Sequence, residues 1–405
     1  MSIPVYLFDT VESHENLLPL SFTRPVADFR VGILTIKEKW EKRLEQDCFY
    51  LPVEYLRGHF GSIKERDLKK LSIFIAGNIL PDGELCDLIK NLNEGEALIF
   101  RDELVAFKGY PEDFYERRFR ENKTIEGIRG LKYVFDIFLY NPEEIEKDYD
   151  IVTKGRISQE LPDCTRLIGQ LFDDKGKRLL FIEEGAQIEC VTINLRQGPV
   201  YIGKDAILME GSCIRGPLAI GEESEIRMGA RIYSGTTIGP HCKIGGEIDN
   251  TVIFGYSNKA HDGYLGNAVI GEWCNIGAGV NASNLKNDYS KIRVWNYKAK
   301  TFMHTDLQFC GLIMGDHSKI GVNCMLNTAT VIGVGVNLHG GGFPRVFLPS
   351  FREGSPSAGF SEVGRKKFQA VAERAMRRRN IEMSATEREL YDILYYGEWP
   401  QDNNH

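Results

Sequence analysis

The chain is 405 residues long, with 50 Lys and Arg against 57 Asp and Glu, for a net charge of −7. That length predicts two or three domains, each able to bury a core. The mildly acidic balance, with no strongly basic half, argues against nucleic acid as a partner. Nine scattered Cys without a CxxC pair argue for reduced thiols in a cytoplasmic protein and against a disulfide or zinc framework. No run of 18 apolar residues exists to span a membrane. Met1 to Asp9 also lacks the basic region and long apolar run of a signal peptide.

The first block, residues 1–180, reads as mixed α/β. Val5-Tyr6-Leu7-Phe8 is a buried strand, and Ile33 to Leu44 an amphipathic helix with Ile33, Ile36, Trp40 and Leu44 on one face. Ile73 to Ala76 is a strand closed by a Gly77-Asn78 turn. Leu85 to Leu92 is a short helix, and Ala97 to Phe100 and Glu103 to Phe107 are two more strands. This alternation predicts a mostly parallel, Rossmann-like sheet with helices on both sides. Ligands of such sheets sit beyond the carboxyl ends of the strands, which places the loop after Phe8 and the turn at Gly77-Asn78 at the cleft. Gly130 to Tyr140 reads as a helix ended by Asn141-Pro142.

The second block, 181–350, follows a different period. Ile202, Leu208, Ile214, Ile220, Ile226, Ile232, Ile238 and Ile244 stand six apart without a miss. An amphipathic helix needs i, i+3, i+4 and i+7, and a strand needs alternation; six fits neither. It is the period of a parallel β-helix, in which each hexad is a short strand and a tight turn and three hexads close a triangular coil. One coil cannot bury its own face, so the coils stack. The phase opens at Ile182 and Ile188 and returns at Ile270 and Ile276, then at Ile320, Leu326, Ile332 and Leu338. It slips between these runs, which predicts loops at about 247–266 and 284–312. Roughly nine coils at strand spacing give a prism on the order of 40 Å long. The third block, 351–405, is a short α-helical tail. Ser361 to Met376 places Phe368, Val371 and Ala375 on one face, and Ser384-Ala385-Thr386-Glu387 is a capping box opening a last helix. The run Arg377-Arg378-Arg379 reads as a solvated face.

An α/β block followed by a hexapeptide β-helix resembles the sugar nucleotidyltransferases fused to a left-handed β-helix acyltransferase. The bifunctional N-acetylglucosamine-1-phosphate uridylyltransferase/glucosamine-1-phosphate N-acetyltransferase family is the nearest in kind. The resemblance is local and specific over Lys259-Ala260-His261-Asp262-Gly263-Tyr264-Leu265-Gly266, then Asn275-Ile276-Gly277-Ala278-Gly279, then Ser283-Asn284. Thr23-Arg24-Pro25-Val26-Ala27-Asp28 and Gly315-Asp316-His317-Ser318 are similar to stretches of other sugar nucleotidyltransferases of this build.

That resemblance implies acyl transfer from an acyl-CoA, acetyl-CoA first, to an amino sugar phosphate or nucleotide sugar. It makes His261 the base, and an imidazole titrating near neutrality suits removal of a proton from an attacking amine. Lys259, Tyr264, Asn275 and Asn284 are then sugar ligands, and Ala278, Gly279 and Arg345 acyl-CoA ligands. The backbone N–H groups of the Gly-Ala-Gly turn would face the oxyanion. A cyclic homotrimer follows for a donor site shared by neighbouring prisms. At the N-terminal block the resemblance implies nucleotidyl transfer from an NTP with Mg²⁺, through Arg24, Asp28 and Asn78 as nucleotide ligands and Asp82 as metal ligand. There the sequence departs: no Gly lies between Met1 and Gly32, where such enzymes carry a glycine-rich triphosphate loop. Loop 285–308, with Leu285, Trp295, Tyr297, Lys298 and Lys300, departs as well and marks a different acceptor pocket. Two alternatives therefore stay open: a nucleotidyltransferase whose β-helix only trimerises, and a non-catalytic sugar-nucleotide-binding protein.

Overall fold

The computed structural model describes residues 3–397; the end of the expected tail, 398–405, and the first two residues of the leader reading lie outside them. The chain divides into two compact units. One comprises the chain up to Phe29, Leu34–Tyr133 and Ala385–Ile393; the other comprises Arg30–Ile33, Val134–Ser384 and the chain from Leu394.

The first unit is built on a six-stranded sheet ordered β2-β1-β3-β5-β4-β6, with β1 Val5–Phe8, β2 Cys48–Leu51, β3 Ser72–Ala76, β4 Glu96–Phe100, β5 Glu103–Gly109 and β6 Glu121–Thr124. β1 pairs in parallel with both β2 and β3, so the chain reverses direction of winding at β1. The sheet is mostly parallel, as expected, with β5 antiparallel to β3 and β4. The cause is the two-residue link Arg101-Asp102, whose φ values of 50° and 66° are those of a hairpin turn. Helices α1 Val11–Asn16, α2 Ile36–Leu44, α3 Arg57–Phe60, α4 Gly83–Lys90 and α5 Pro111–Tyr115 complete the block. α2 starts three residues later than expected, because Thr35 and Glu38 form its capping box. The core is aromatic: Phe74 stacks on Phe114 at 4.1 Å and Val5, Leu7 and Phe107 are fully buried.

The second unit is built on an all-β left-handed parallel β-helix with three faces of eight, nine and ten strands. The first face runs from Arg166–Ile168 to Met325–Leu326, the second from Leu180–Ile182 to Phe347–Leu348, and the third from Gln187–Ile188 to a hairpin of Arg352–Ser355 and Gly359–Glu362. The ladder of sixes is the inward row: Ile202, Leu208, Ile220, Ile226, Ile238 and Ile244 are fully buried, each worth about 1.5–3 kcal/mol of burial. The predicted loop at 247–266 does not exist. Ile232 pairs with Ile248, Ile238 with Ile253 and Ile244 with Lys259, so the coil continues and its phase slips because the corners around Gly246 and Asn250 are trimmed. The break at 284–312 is a real insertion, folded as a hairpin of Arg293–Asn296 and Thr301–His304, with Trp295 stacked on Phe347 at 4.3 Å.

Helix α6, Asp136–Thr153, lies on the second face and runs straight through Pro142, where the sequence predicts a stop. Proline removes the amide that would reach Phe138 O. Asn250 supplies the missing donor, with its side-chain amide oriented to give Phe138 O a bond of 3.0 Å and Gly235 O one of 3.2 Å. Asn141 accepts from the Gly32 amide at 2.7 Å and donates to Gly235 O at 2.7 Å. These bonds dock the helix on the prism. The tail forms α7 Arg365–Arg377 and α8 Ala385–Tyr396; the expected helix from Ser361 begins later because 359–362 is a strand.

Candidate functional site

A cavity of about 880 Å³ lies within the second unit, between the third prism face and α7. The apolar face of α7, Phe368, Val371 and Ala375, forms one wall, and Arg378 and Arg379 end it. The opposite wall includes Tyr256, Trp273 and His317, three rings of a stack at one prism corner. His241, Tyr256, Trp273 and His317 occupy the same left-handed corner position on successive coils, with φ between 51° and 59°. Their rings lie parallel at 4.6, 4.3 and 6.1 Å. The next corner position is Gly335 (φ +67°), where a Cβ would stand 2.6 Å from the Phe368 ring. Glycine there lets Phe368 cap the stack, edge-on to His317 at 6.0 Å. Lys319 props the corner from below, donating to Trp273 O at 2.5 Å and to His317 O at 3.1 Å, and burial pushes its ammonium pKa down.

The polar edge is cationic. Lys243 and Arg227 share Glu225 at 2.5 and 3.2 Å, Lys367 pairs with Glu353 at 2.6 Å, and Arg379 donates to Asn258 Oδ1 at 3.0 Å. Arg378 has no acidic partner among the described residues. The sequence reading took the Arg377–Arg379 run for a solvated face, yet the structure puts Arg378 and Arg379 on the cavity.

The predicted site residues separate into groups. His261, Asn275 and Ala278 all line this cavity. His261 is exposed at the corner between Asn258–Lys259 and Tyr264–Gly266, and Asn275 stands between Asn258 and Lys319 on the third face. Gly279 forms the neighbouring corner at φ +71°, where a Cβ would collide with Asn323 Oδ1. Two amides of the Gly-Ala-Gly turn are already committed, Gly277 N to Ile320 O at 2.8 Å and Gly279 N to Asp262 O at 2.9 Å. They cannot serve a ligand, which leaves the Ala278 amide. Tyr264 and Asn284 are on the first face instead, bonded to each other at 2.9 Å, with Asn284 also donating to Asn267 at 2.7 Å. Burial pushes the Tyr264 phenol up to about 12. Lys259 faces into the prism and is 1% exposed. Arg345 is exposed and does not line the cavity. Asn258, Trp273 and Phe368 were missed; the corner rings recur at irregular spacing, so no period announces them.

In the first unit each of the predicted residues is bonded within the fold. Arg24 is 6% exposed and bonded to Asp28 at 3.2 Å, and the other Asp28 oxygen accepts from Tyr50 OH at 2.6 Å. Asn78 donates to Leu131 O at 3.0 Å. Asp82 is the N-cap of α4, accepting from the Leu85 amide at 2.8 Å. No cluster of three or more His, Cys, Asp or Glu that could hold a metal occurs among the described residues. Asp9 is the side chain at the winding reversal. It stands at the carboxyl end of β1 against Gly77, and the Val26 amide lies 3.2 Å from one carboxyl oxygen. Burial pushes its carboxyl up to about 7, against the pull of that amide. Burial likewise holds nearby His14 down at about 4, its Nε2 at 3.0 Å from Tyr55 OH.

Residues 5–157 match the family described as sugar nucleotidyl transferase, less than half of the chain. The bifunctional protein GlmU of Gloeobacter violaceus is 31% identical over 124 residues, 30% of this chain and 23% of that one. A bifunctional sugar-1-phosphate nucleotidylyltransferase/acetyltransferase of Sulfurisphaera tokodaii is 32% identical over 147 residues, 36% of each chain. The match therefore spans only about a quarter to a third of these relatives' length. Among solved structures, the polySia-specific acetyltransferase NeuO aligns at 14% identity over 50% of this chain and 87% of its own, with a TM-score of 0.29. The N-acyltransferase AntD of Bacillus cereus, solved with dTDP and coenzyme A, aligns at 15% over 49% and 89%, with a TM-score of 0.22. The chain thus resembles GlmU-type sugar nucleotidyltransferases, while its β-helix rests on the register described above.

Proposed function

We propose that this protein is a sugar-nucleotide pathway transferase. Its β-helix unit moves an acyl group from an acyl-CoA, acetyl-CoA first, to an amino group on a phosphorylated or nucleotide-linked sugar. The observation that carries this reading is the placement of His261, Asn275 and Ala278 on one cavity with an apolar and aromatic wall and a cationic edge. Its volume falls in the range of small-molecule sites. The thioester and pantetheine arm suit the Phe368 and Val371 side, and phosphates suit Arg378 and Arg379. In the reaction the sugar amine attacks the thioester carbon and His261 takes the amine proton. The Ala278 amide faces the oxyanion. Collapse breaks the C–S bond, and the imidazolium returns its proton to the leaving thiolate. A homotrimer in the cytoplasm is part of the same proposal; no helix among the described residues is long and apolar enough to cross a membrane.

Thiol release from acetyl-CoA with a panel of amino sugar phosphates and nucleotide amino sugars tests this. Release by the parent protein that disappears in His261→Ala supports it, and equal rates in the two overturn it. A second reading, nucleotidyl transfer at the first unit, is favoured by the family match over residues 5–157. Asp9, at the winding reversal, stands at the carboxyl end of β1, where ligands of such sheets bind. Pyrophosphate release from each NTP with sugar-1-phosphates tests it, and no release with any pair removes it.

A further inference from the structure

Along the ladder of sixes the inward residues of the prism are apolar in every coil but one. Register sets Lys259 against Ile244 on one side, and the pairing of Asn258 with Asn275 sets it beside Ile276 on the other. It is the single charged residue in these rows among the described residues. Its methylene stem fills the place of an isoleucine. The ammonium at the end of that stem carries a desolvation cost that an aliphatic residue would not. The packing of the stack does not require it, since Ile244 and Ile276 fill the neighbouring coils.

What the ammonium touches is the corner that bears His261. Nζ donates to His261 O in a short hydrogen bond and to Gly245 O at 3.4 Å. Gly246, at φ +75°, makes room for it: a Cβ there would lie 2.9 Å from Nζ. Burial lowers the ammonium pKa to about 8, with Asp262 opposing that shift and Arg231 adding to it. The other end of the corner is tied down by the Gly279 amide on Asp262 O at 2.9 Å. The successive carbonyls of His261 and Asp262 are therefore both held, one from inside the prism and one from the next coil.

We propose that Lys259 is a positioning residue for His261. Its ammonium pins the His261 carbonyl from inside the prism and so fixes the direction in which the imidazole enters the cavity. The catalytic consequence rests on the acyl-transfer reading above, whereas the pinning itself does not. Lys259 then has no contact with substrate, in contrast to the sugar-ligand role that the resemblance implies.

Lys259→Met removes the charge and keeps the apolar stem; Lys259→Gln keeps a donor on a shorter arm and guards against a variant that fails to fold. Three measurements on the full chain separate the outcomes. Amide hydrogen exchange at 260–263 should quicken on the order of tenfold or more in Lys259→Met, as loss of a charged hydrogen bond implies, and less in Lys259→Gln. The NMR titration of His261 in histidine-labelled protein should shift. Where acyl transfer is present, kcat should fall on the order of tenfold to a hundredfold, the cost of a misplaced reacting group, with KM for acyl-CoA little changed. The double variant with His261→Ala should then be no slower than His261→Ala alone. Absence of acyl transfer in the parent protein would remove the reaction and leave the exchange result to decide the pinning. Unchanged exchange at 260–263 with an unchanged His261 titration overturns the proposal.

Discussion

At the carboxyl end of the α/β sheet, polar side chains hold each other. Arg24 is bonded to Asp28, Asp28 to Tyr50, Asn78 to a carbonyl and Asp82 to the amide it caps. Around the cavity the reverse holds: the side chains of His261, Asn275 and Arg378 face it with no side-chain hydrogen bond or ion pair among the described residues. The same types of residue are thus bonded within the fold in one region and face a cavity in the other. A sequence motif alone does not separate the two, because both uses need a polar residue near a turn.

Substitutions test that contrast, and the largest effect belongs to the cavity. His261→Ala is expected to cut kcat for acyl transfer on the order of 10²–10⁴-fold while leaving the thermal midpoint within a degree or two of the parent. A fall in midpoint with kcat retained would erase the contrast. Arg24→Ala is expected to destabilise the first unit by about 2 kcal/mol, since it leaves a half-buried carboxylate short of its partner; urea unfolding measures this. Strong loss of nucleotide affinity without loss of stability would move Arg24 into a binding role. Asp82→Ala should cost about 1 kcal/mol as a lost N-cap, with no change in Mg²⁺ dependence of any NTP reaction. The finest discrimination comes from Asp9. Its carboxyl ordinarily titrates at 3.8 and is pushed up to about 7 in the fold, so the folded chain holds the proton where the unfolded chain has lost it. Stability from this group is full below about pH 4 and lost as pH rises to about 7. The advantage of Asp9→Asn over the parent should therefore grow across that window and level off above it. His14, held low by burial, is common to both proteins and drops out of the difference.

The fold was legible where a side chain has one job repeated. The inward aliphatics recur at six because each closes a strand on the prism axis, and β1, β3, β4 and β5 show as short apolar runs. The winding of β5 was not legible, since it depends on two residues, Arg101 and Asp102, adopting positive φ. The slip near Gly246 reads equally as insertion or as trimming, and only the pairing of Ile232 with Ile248 decides it. Helix α6 passes Pro142 because Asn250, more than a hundred positions away, supplies the donor. His261, Asn275 and Ala278 were found through resemblance and do share a cavity. Lys259 could have been set apart by arithmetic: it stands six after Ile253 and six before Leu265, in phase with the inward row. Phe368 shows as part of an apolar helix face and Arg378 and Arg379 as part of a charged run, but their place on the cavity was not legible, because it depends on how α7 lies against the prism.

The stacked corner also gives the cavity an optical property. Trp273 lies between the phenol of Tyr256 and the imidazole of His317 and forms part of the wall. Its share of the emission, read as the difference between the parent and Trp273→Phe because the chain has four Trp, follows occupancy without a label or a known turnover assay.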